Sequence, residues 1–391
     1  MTALSQPVLD AATRVELCRD ADVPALMQFI GSQWHPDHVL SRDEALLRWQ
    51  FAPERLQGQR APGPTVMLAW LEGEIIGMLG LTGFEFNALG ERYPAMWLSQ
   101  WLAVPAHRRH NVALRLMWAA RDLRLDAVAT LGAHTFSAQL LARLGFELIP
   151  SLPRWVGVFD VAAAAELVCW ANPTLGQPTA AALCRAYIVQ PPTGAKPTDG
   201  LRAQGWSAAT AAAWDRCWNG VLARRVVGAC RDAAYLTWRY VSHPRFEYRL
   251  RCAQRASDGE VEGIVVWRVE RVRDRATRVL RIVEFLGSPA AEAVLARSVL
   301  EGARDSGAAM GDFYCASARA AEALARAGFQ RVPEPPAGIV FPSRFQPLES
   351  QHFPMTTLVR LPGAWRSRMR ELLDDGRLYI TKSDGDQDRP A

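Results

Sequence analysis

A short basic turn is the part of the sequence with the clearest capacity for chemistry. It lies between an apolar segment at 97–104 and a helical pattern that begins at Val112. The first N–H groups of a helix have no partner within the helix, and the helix dipole favours negative charge at that end. The turn therefore predicts a site for an anion such as the pyrophosphate of a coenzyme. Its residues are Arg108, Arg109, His110 and Asn111.

Neighbouring segments must hold this turn in place. The apolar run 97–104 predicts a buried strand, and 112–120 predicts a helix. Downstream, 127–132 predicts another strand and 137–144 a helix that ends at a glycine. Residues 154–159 predict the last strand of this half of the chain.

Length and composition limit the class of protein. A chain of 391 residues exceeds one ordinary core, so we expect at least two domains. Hydrophobic residues make up 49% and charged residues 22%, which is typical of a globular protein. The formal charge of +5 is small for this length and no long basic run occurs, so a nucleic-acid partner is not expected.

The cysteines, the first residues and the apolar runs indicate the cellular compartment of the protein. Seven scattered cysteines form no Cys-x-x-Cys pair, which argues against a disulfide framework and a zinc site. The first residues lack the pattern of a secretory signal. No apolar run reaches the ~18 residues that a membrane helix needs. We therefore expect a cytoplasmic protein with no membrane contact and no bound metal.

Three short patterns recur in the same order, about 185 residues apart, which indicates an internal duplication. The pairs are Asp43, Trp49 and Phe51 with Asp232, Trp238 and Tyr240; residues 72–77 with 258–263; and residues 142–146 with 325–329. We expect an N-terminal domain at 1–160, a connector at 161–205, and a C-terminal domain at 206–391 with a tail at 379–391. The predicted class is α+β with α/β-type layers.

The order of elements and the basic turn resemble the GNAT family of coenzyme-A-dependent N-acyltransferases. In that family the fourth strand is followed by the pattern Arg/Gln-x-x-Gly-x-Gly/Ala. Arg108 and Ala113 match its ends, and Asn111 replaces the central glycine. Asparagine tolerates left-handed backbone better than other non-glycine residues. The resemblance implies two tandem GNAT-like units, each a mixed, mainly antiparallel sheet flanked by helices.

Acyl-coenzyme A is the co-substrate that this resemblance implies. The strand edge and the turn would hold it, and a backbone N–H at Leu102 or Val104 would polarise the thioester carbonyl. The residues expected to bind the coenzyme are Leu102, Ala103, Val104, Arg108, Arg109, His110, Asn111, Val112 and Ala113.

In the second half the corresponding strand, 280–286, is followed by Gly287 and Ser288 without a basic turn. We therefore expect that the C-terminal copy has lost coenzyme binding and shapes the acceptor site. Two groups that the family often uses are also missing. Leu141 stands where a tyrosine acid is common. The family often has a carboxylate on the fourth strand as general base, but the strand 97–104 has only Ser99 and Gln100 as polar residues.

Four other side chains are candidates for proton transfer. His35 and His38 lie in the loop where the family usually forms its acceptor pocket, and His134 follows the fifth strand, near the expected thioester. Glu284 lies in an apolar run of the second half. Histidine has a pKa suited to taking a proton from an ammonium group. The alternatives are surface loop histidines and, for Glu284, a buried ion pair.

Residues 236–244 look like a Leu-x-Trp-Arg-Tyr-x-x-His-Pro stretch of tandem GNAT proteins from bacterial polysaccharide clusters. Some of those proteins N-acylate nucleotide-linked amino sugars. The resemblance implies a small-molecule amine acceptor, with a nucleotide sugar as the nearest analogy. The alternative is a catalytically silent GNAT-like protein that binds a ligand or partner. The missing tyrosine and carboxylate favour the alternative, and the basic turn favours the enzyme.

The acidic tail at 379–391 leaves three interpretations open. It is a frayed terminus, an incomplete calcium loop, or a segment that folds back so that its carboxylates hold the acceptor.

Overall fold

The computed structural model describes residues 13–149, 151–189, 200–333, 341–346, 348–349, 354–374 and 376–388. The chain divides into two compact units. The first unit comprises residues 13–86, 93–131 and 358–366. The second unit comprises residues 87–92 and the described parts of 132–357 and 367–391.

The chain contains both strands and α-helices along its length. The strands are β1 (Thr13–Leu17), β2 (Val66–Leu71), β3 (Glu74–Ala88), β4 (Glu91–Ala103), β5 (Ala127–Leu131), β6 (Glu147–Ile149), β7 (Arg154–Val158), β8 (Leu201–Gly205), β9 (Val227–Ala229), β10 (Arg249–Arg255), β11 (Val261–Arg271), β12 (Arg278–Gly287), β13 (Ala308–Tyr314), β14 (Gln330–Arg331), β15 (Thr357–Arg360) and β16 (Leu378–Tyr379). The α-helices are α1 (Val23–Gln33), α2 (Val39–Arg42), α3 (Glu44–Gln50), α4 (Val112–Asp122), α5 (Thr135–Arg143), α6 (Val161–Ala171), α7 (Gln177–Ala186), α8 (Ala208–Cys217), α9 (Ala233–Leu236), α10 (Pro289–Ser306), α11 (Ala318–Arg326) and α12 (Met369–Asp374).

A mixed sheet forms the centre of the first unit. Its strands follow the order β1-β2-β3-β4-β5, with β15 beside β5. The pairs β1/β2 and β2/β3 are antiparallel, and β4/β5 is parallel. Helices α1 and α3 cover one face through a core that includes Leu26, Ile30, Leu46 and Phe51.

A second mixed sheet forms the centre of the second unit. Its order is β14-β7-β13-β12-β11-β10-β8, and only β12/β13 is parallel among the pairs along that order. Helices α6 and α7 contribute Leu167, Val168 and Cys184 to one core cluster of this unit. The predicted fold class, two mixed and mainly antiparallel sheets flanked by helices, is confirmed.

Strand β7 does not pair within the half of the sequence that precedes it. It lies between β13 and β14 in the second unit, and β15 lies beside β5 in the first. The prediction that 154–159 closes the first half is therefore wrong. Its residue pattern identifies a strand, but a pattern of alternating residues does not specify which distant strand supplies the hydrogen bonds.

The repeated segments 72–77 and 258–263 end in glycines with the same packing role. A Cβ on Gly77 would lie 2.5 Å from Cγ1 of Val112, at the start of α4. A Cβ on Gly263 would lie 3.0 Å from Cβ of Ala291, in the first turn of α10. In both units, therefore, a glycine in the strand before β4 or β12 lets the helix that follows, α4 or α10, approach the sheet. Among the described residues, no helix is both long and apolar enough to cross a membrane.

We expect Gly77→Ala and Gly263→Ala each to lower the free energy of unfolding by about 1–3 kcal/mol, because the added methyl group overlaps packed atoms. Gly220→Ala is the matched control, since nothing lies within 4 Å of its Cβ position. Chemical denaturation measures all three variants. Equal stability of the three would contradict this packing role.

Candidate functional site

The basic turn of the first unit has the backbone that an anion-binding turn requires. After β4, Pro105–His110 forms a 3-10 helix, and α4 begins at Val112. Between them Asn111 adopts the left-handed conformation, with φ 54° and ψ 34°. Its N–H donates to the carbonyl of Arg108 at 3.1 Å. Asn111 therefore supplies the conformation for which glycine is the usual choice.

Basic side chains surround the start of α4. Arg108 and Arg109 are exposed and His110 is half-buried. Nε of Arg109 lies 3.1 Å from Nε2 of His110, whose ring centroid is 5.8 Å from that of His107. Fixed cations thus stand next to the N–H groups of the first helical turn, where the helix dipole also favours an anion.

Beside this turn the parallel strands β4 and β5 separate, and we call the gap between them the strand split. Strands β4 and β5 pair from Ala95 with Ala127 to Leu98 with Thr130, but β4 continues to Ala103. Within the described residues, no strand pairs with this edge of β4 beyond Leu98. The open edge, residues 99–103, spans at most about 16 Å at the spacing of a strand, since Gln100 with φ 49° departs from extended backbone. It can pair with the amides of an extended ligand whose phosphates reach the turn.

Backbone direction determines which amides face this open edge. The N–H of Val104 donates to the carbonyl of Ile76 on β3 at 2.9 Å. Because backbone directions alternate along a strand, the N–H of Leu102 faces β3 as well, and those of Trp101 and Ala103 face the open edge. The Val104 N–H is therefore already bonded to β3 and does not face a ligand, while the predicted role of Leu102 stays a prediction that its direction does not favour.

His35 and His38 both precede α2, and Nδ1 of each ring accepts a hydrogen bond from nearby backbone. His35 Nδ1 accepts the N–H of Asp37 at 3.0 Å, and His38 Nδ1 accepts the N–H of Leu40 at 3.3 Å. A neutral imidazole has one lone pair, and here the backbone uses it. Either histidine would have to leave this hydrogen bond to act as a base, so their catalytic roles stay predictions.

Two predicted positions lie at α5 in the second unit. His134 is exposed and precedes the first residue of the helix. Leu141, where the family often has a tyrosine, is only 1% exposed and belongs to the core. His134 can reach solvent, which is compatible with proton transfer, and its role stays a prediction.

Glu284 lies in a buried ion pair, as the alternative interpretation proposed. It is 0% exposed, and one carboxylate oxygen lies 3.0 Å from Nε of Arg231. The hydroxyls of Tyr240 and Tyr379 donate to it at 2.6 and 2.8 Å. Burial raises the pKa of Glu284, and the positive charge of Arg231 opposes that rise. These contacts favour a structural role over catalysis, because the carboxylate is fully enclosed by its partners.

The C-terminal tail, as far as the structure describes it (379–388), folds back into the second unit. Asp384 binds Nη2 of Arg231 at 2.6 Å, and Asp388 binds Nη2 of Arg268 at 2.7 Å. Arg239 donates to the carbonyl of Ser383 at 2.7 Å. The frayed-terminus interpretation is thus wrong for these residues. The carboxylates of Asp384 and Asp388 already bind arginines. This pairing supports neither a calcium loop nor binding of the acceptor by these carboxylates. Residues 389–391 lie outside the described residues.

This tail occupies the strand split of the second unit. Strands β12 and β13 pair up to Ile282 with Phe313, and β12 continues to Gly287. The N–H of Phe285 donates to the Tyr379 hydroxyl at 3.0 Å, and the N–H of Ala316 donates to the carbonyl of Ile380 at 2.9 Å. Backbone edges that are open in the first unit are thus satisfied by the chain itself in the second.

The start of α10 also differs from the start of α4. Ser288 caps the helix by accepting the N–H of Ala291 at 3.2 Å, and its hydroxyl donates to Glu262 at 2.7 Å. A carboxylate at this position repels an anion. In the residues that the structure describes, the second unit thus has neither a basic turn nor an open edge at this place, and its loss of coenzyme binding stays a prediction.

Sequence patterns missed the residues that anchor the tail. Arg231 and Arg239 lie near the repeated Asp232, Trp238 and Tyr240, but an arginine in a chain rich in arginine gives no distinct signal. Lys382 could have indicated that the tail is structured, because the chain has only one other lysine. It is 7% exposed and lies over the ring of Tyr314, with Nζ 5.3 Å from the centroid.

Comparison with known proteins bears on what this site does. Residues 35–149 match the family description of an acetyltransferase (GNAT) domain, and this segment includes the basic turn and both strands of the split. A search of curated proteins finds no match.

Solved structures share the fold over most of the chain. A conserved protein of unknown function from Enterococcus faecalis, described as a probable N-acyltransferase, has a TM-score of 0.54 and 12% identity, over 90% of this chain and 73% of its own. A GCN5-related N-acetyltransferase from Anabaena variabilis has a TM-score of 0.53 and 12% identity, over 91% and 74%. The N-myristoyltransferase of Saccharomyces cerevisiae, solved with bound myristoyl-CoA, has a TM-score of 0.53 and 7% identity, over 91% and 85%.

These likenesses show the fold, and the domain match lies on the segment that contains the turn. Together they support an acyl-CoA-dependent N-acyltransferase with acyl-CoA as its co-substrate, as the sequence predicts. A GNAT fold takes a small-molecule or peptide acceptor.

Lys382 makes the stability of the fold depend on pH. Burial and the neighbouring Arg281 lower the pKa of Lys382 from 10.5 to about 7. Above pH 7 the unfolded chain therefore binds a proton that the folded chain does not, so stability rises with pH by up to about 1.4 kcal/mol per unit. We expect the stability of wild type to rise relative to that of Lys382→Met between pH 7 and 8.5.

Urea denaturation at several pH values measures this difference. Lys196→Met, which removes the only other lysine, is the control and should behave as wild type. Parallel curves for wild type and Lys382→Met would show that the folded state does not lower the proton affinity of Lys382.

Proposed function

We propose that the chain is an acyl-CoA-dependent N-acyltransferase whose first unit binds the coenzyme at the basic turn and the strand split. The observation that carries this proposal is the left-handed Asn111 between β4 and α4, next to an open strand edge. The turn offers N–H groups and cations to a pyrophosphate, and the edge offers amides to the extended arm. The second unit, with its split filled by the tail, supports the fold and does not bind coenzyme.

Catalysis in this arrangement depends chiefly on placement. An amine that attacks a thioester needs a lone pair, a polarised carbonyl and a fixed distance between the reacting atoms. The N–H groups of Trp101 and Ala103 face the edge where the thioester would lie, so they can donate hydrogen bonds to its oxygen as negative charge develops there.

Acetyl-CoA binding tests the proposed site directly. Arg108→Ala combined with Arg109→Ala should weaken binding by roughly tenfold or more, because it removes charge-assisted contacts to phosphate. Arg14→Ala combined with Arg19→Ala is the matched control, since both arginines are exposed in the same unit. Calorimetry measures each affinity.

Equal affinity of the two double variants would place the coenzyme elsewhere. Absence of binding by the wild type at millimolar acetyl-CoA would refute the enzyme and favour the silent ligand-binding alternative.

For the acceptor we propose the amine of a nucleotide-linked amino sugar, destined for a surface polysaccharide. The residues 236–244 that carried this analogy are partly structural, since Arg239 holds the tail. Independent support comes from a cavity of about 680 Å³ in the second unit. Its lining combines aromatic rings with guanidinium groups, which suit a base and a phosphate. Among the lining residues are Trp206, His243, Phe246, Arg245, Arg249 and Arg251.

Nucleoside diphosphates are probes for this acceptor. Uridine and adenosine diphosphate should bind the wild type, and Arg249→Ala combined with Arg251→Ala should weaken that binding by roughly tenfold. Arg202→Ala is the control, because Arg202 is exposed in the same unit and does not line the cavity. Fluorescence titration measures the affinities, and no difference from the control would exclude this cavity as the nucleotide site.

A further inference from the structure

Two arginines of the second unit lie directly opposite each other on neighbouring strands. Arg271 on β11 pairs in register with Arg278 on β12, and both side chains are exposed. Opposite side chains on antiparallel strands have Cβ atoms about 5 Å apart, and like charges at that distance are destabilising. We call these two residues the exposed pair. It costs stability unless an anion lies between its guanidinium groups.

Neither guanidinium of the exposed pair has a carboxylate partner among the described residues. Nε of Arg271 donates to the carbonyl of Arg275 at 3.0 Å, and Nη1 of Arg278 donates to the carbonyl of Ser306 at 3.0 Å. No other hydrogen bond or ion pair of these two side chains occurs in the part of the chain that the structure describes. One backbone carbonyl thus orients each guanidinium and leaves its remaining N–H groups available to a ligand.

The same two strands contain a second arginine pair that shows how such charges are satisfied. Arg268 and Arg281 also lie opposite each other, and both are buried. Oε2 of Glu270 lies 3.2 Å from Nη1 of each arginine. One carboxylate thus bridges the buried pair, whereas the exposed pair has no such group within the described residues.

A cavity of about 470 Å³ borders the exposed pair. Five arginines and three carboxylates line it, and Glu270 is one of the three, so the lining is positive overall. Part of the lining also belongs to the cavity proposed above for the nucleotide, namely Arg245, Phe246, Glu247 and Arg249. The two cavities thus adjoin, which places the exposed pair next to the proposed nucleotide site.

We propose that Arg271 and Arg278 together bind a carboxylate group of the acceptor, so that the acceptor is an acidic amino sugar linked to a nucleotide. This inference rests on the proposed function and narrows its substrate class. The planar fork of a guanidinium matches the geometry of a carboxylate, and hydrogen bonds between the two are charge-assisted. The bound carboxylate also offsets the repulsion within the exposed pair, as Glu270 does within the buried pair.

Uridine diphosphate glucuronate and uridine diphosphate glucose test this assignment, because the first has a carboxylate where the second has a hydroxymethyl group. The wild type should bind the glucuronate roughly tenfold more tightly, as expected for charge-assisted hydrogen bonds. Arg271→Ala combined with Arg278→Ala should remove this preference and leave the affinity for the glucose form unchanged. Fluorescence titration of the full chain measures each dissociation constant.

Arg273→Ala combined with Arg304→Ala is the matched control. Both arginines are exposed in the second unit, and neither lines the cavity. The control loses the same charge, so a preference that came only from the general positive charge of this region would fall in both double variants. We expect the control to keep the preference of the wild type for the glucuronate.

The single variant Arg271→Gln leaves the contact of Arg278 with the end of α10 intact. It should also lower the preference for the glucuronate, because it removes one of the two guanidinium groups. This variant separates ligand binding from any effect of the double variant on folding.

Equal affinity of the wild type for the two ligands would overturn the proposal while the proposed function stands, and that comparison needs no variant. A preference that survives in the Arg271 and Arg278 double variant, or that falls equally in the control, would also overturn it. Loss of stability in the double variant with an unchanged preference would assign both arginines to the fold. If the wild type binds neither ligand, the proposed nucleotide-linked acceptor fails and this inference fails with it.

Discussion

Backbone hydrogen bonding at the two strand splits is the constraint on which the structure depends. Where two parallel strands separate, each leaves N–H and C=O groups that must find partners, because unpaired backbone groups away from water are costly. In the second unit the tail supplies those partners at Phe285 and Ala316. In the first unit the edge at 99–103 is open, and we propose that a coenzyme supplies them. The unpaired backbone groups at a strand split thus obtain partners in two ways in this chain. The tail supplies them in the second unit, and we propose that a coenzyme supplies them in the first.

The tail can serve as a permanent partner because charges hold it in place. Arg231 is fully buried between Glu284 and Asp384. Burial alone would lower its pKa, and the two carboxylates together raise it above its ordinary value. Removing one partner would leave a buried charge without compensation, which is far more costly than the pair itself is stabilising. The tail, once in place, is therefore difficult to displace from the split.

Local features of the fold and site could be predicted from the sequence. The left-handed turn at Asn111 follows from the residue type at a helix start, and the glycines Gly77 and Gly263 marked equivalent packing positions in the two units. Each is encoded within a few residues. The exchange of β7 and β15, the tail in the split and the direction of the Val104 N–H could not be predicted. They depend on partners distant in sequence, and a periodic pattern carries no information on those partners.

Hydrogen–deuterium exchange of the full chain, with and without saturating acetyl-CoA, shows whether the first split binds coenzyme and the second does not. We expect slower exchange at residues 99–104 and 108–115, where coenzyme would cover the strand edge and the turn. We expect no change at residues 283–292, where the tail and Ser288 already hold the backbone. Slower exchange confined to 283–292, or equal protection of both segments, would contradict coenzyme binding at the first split alone.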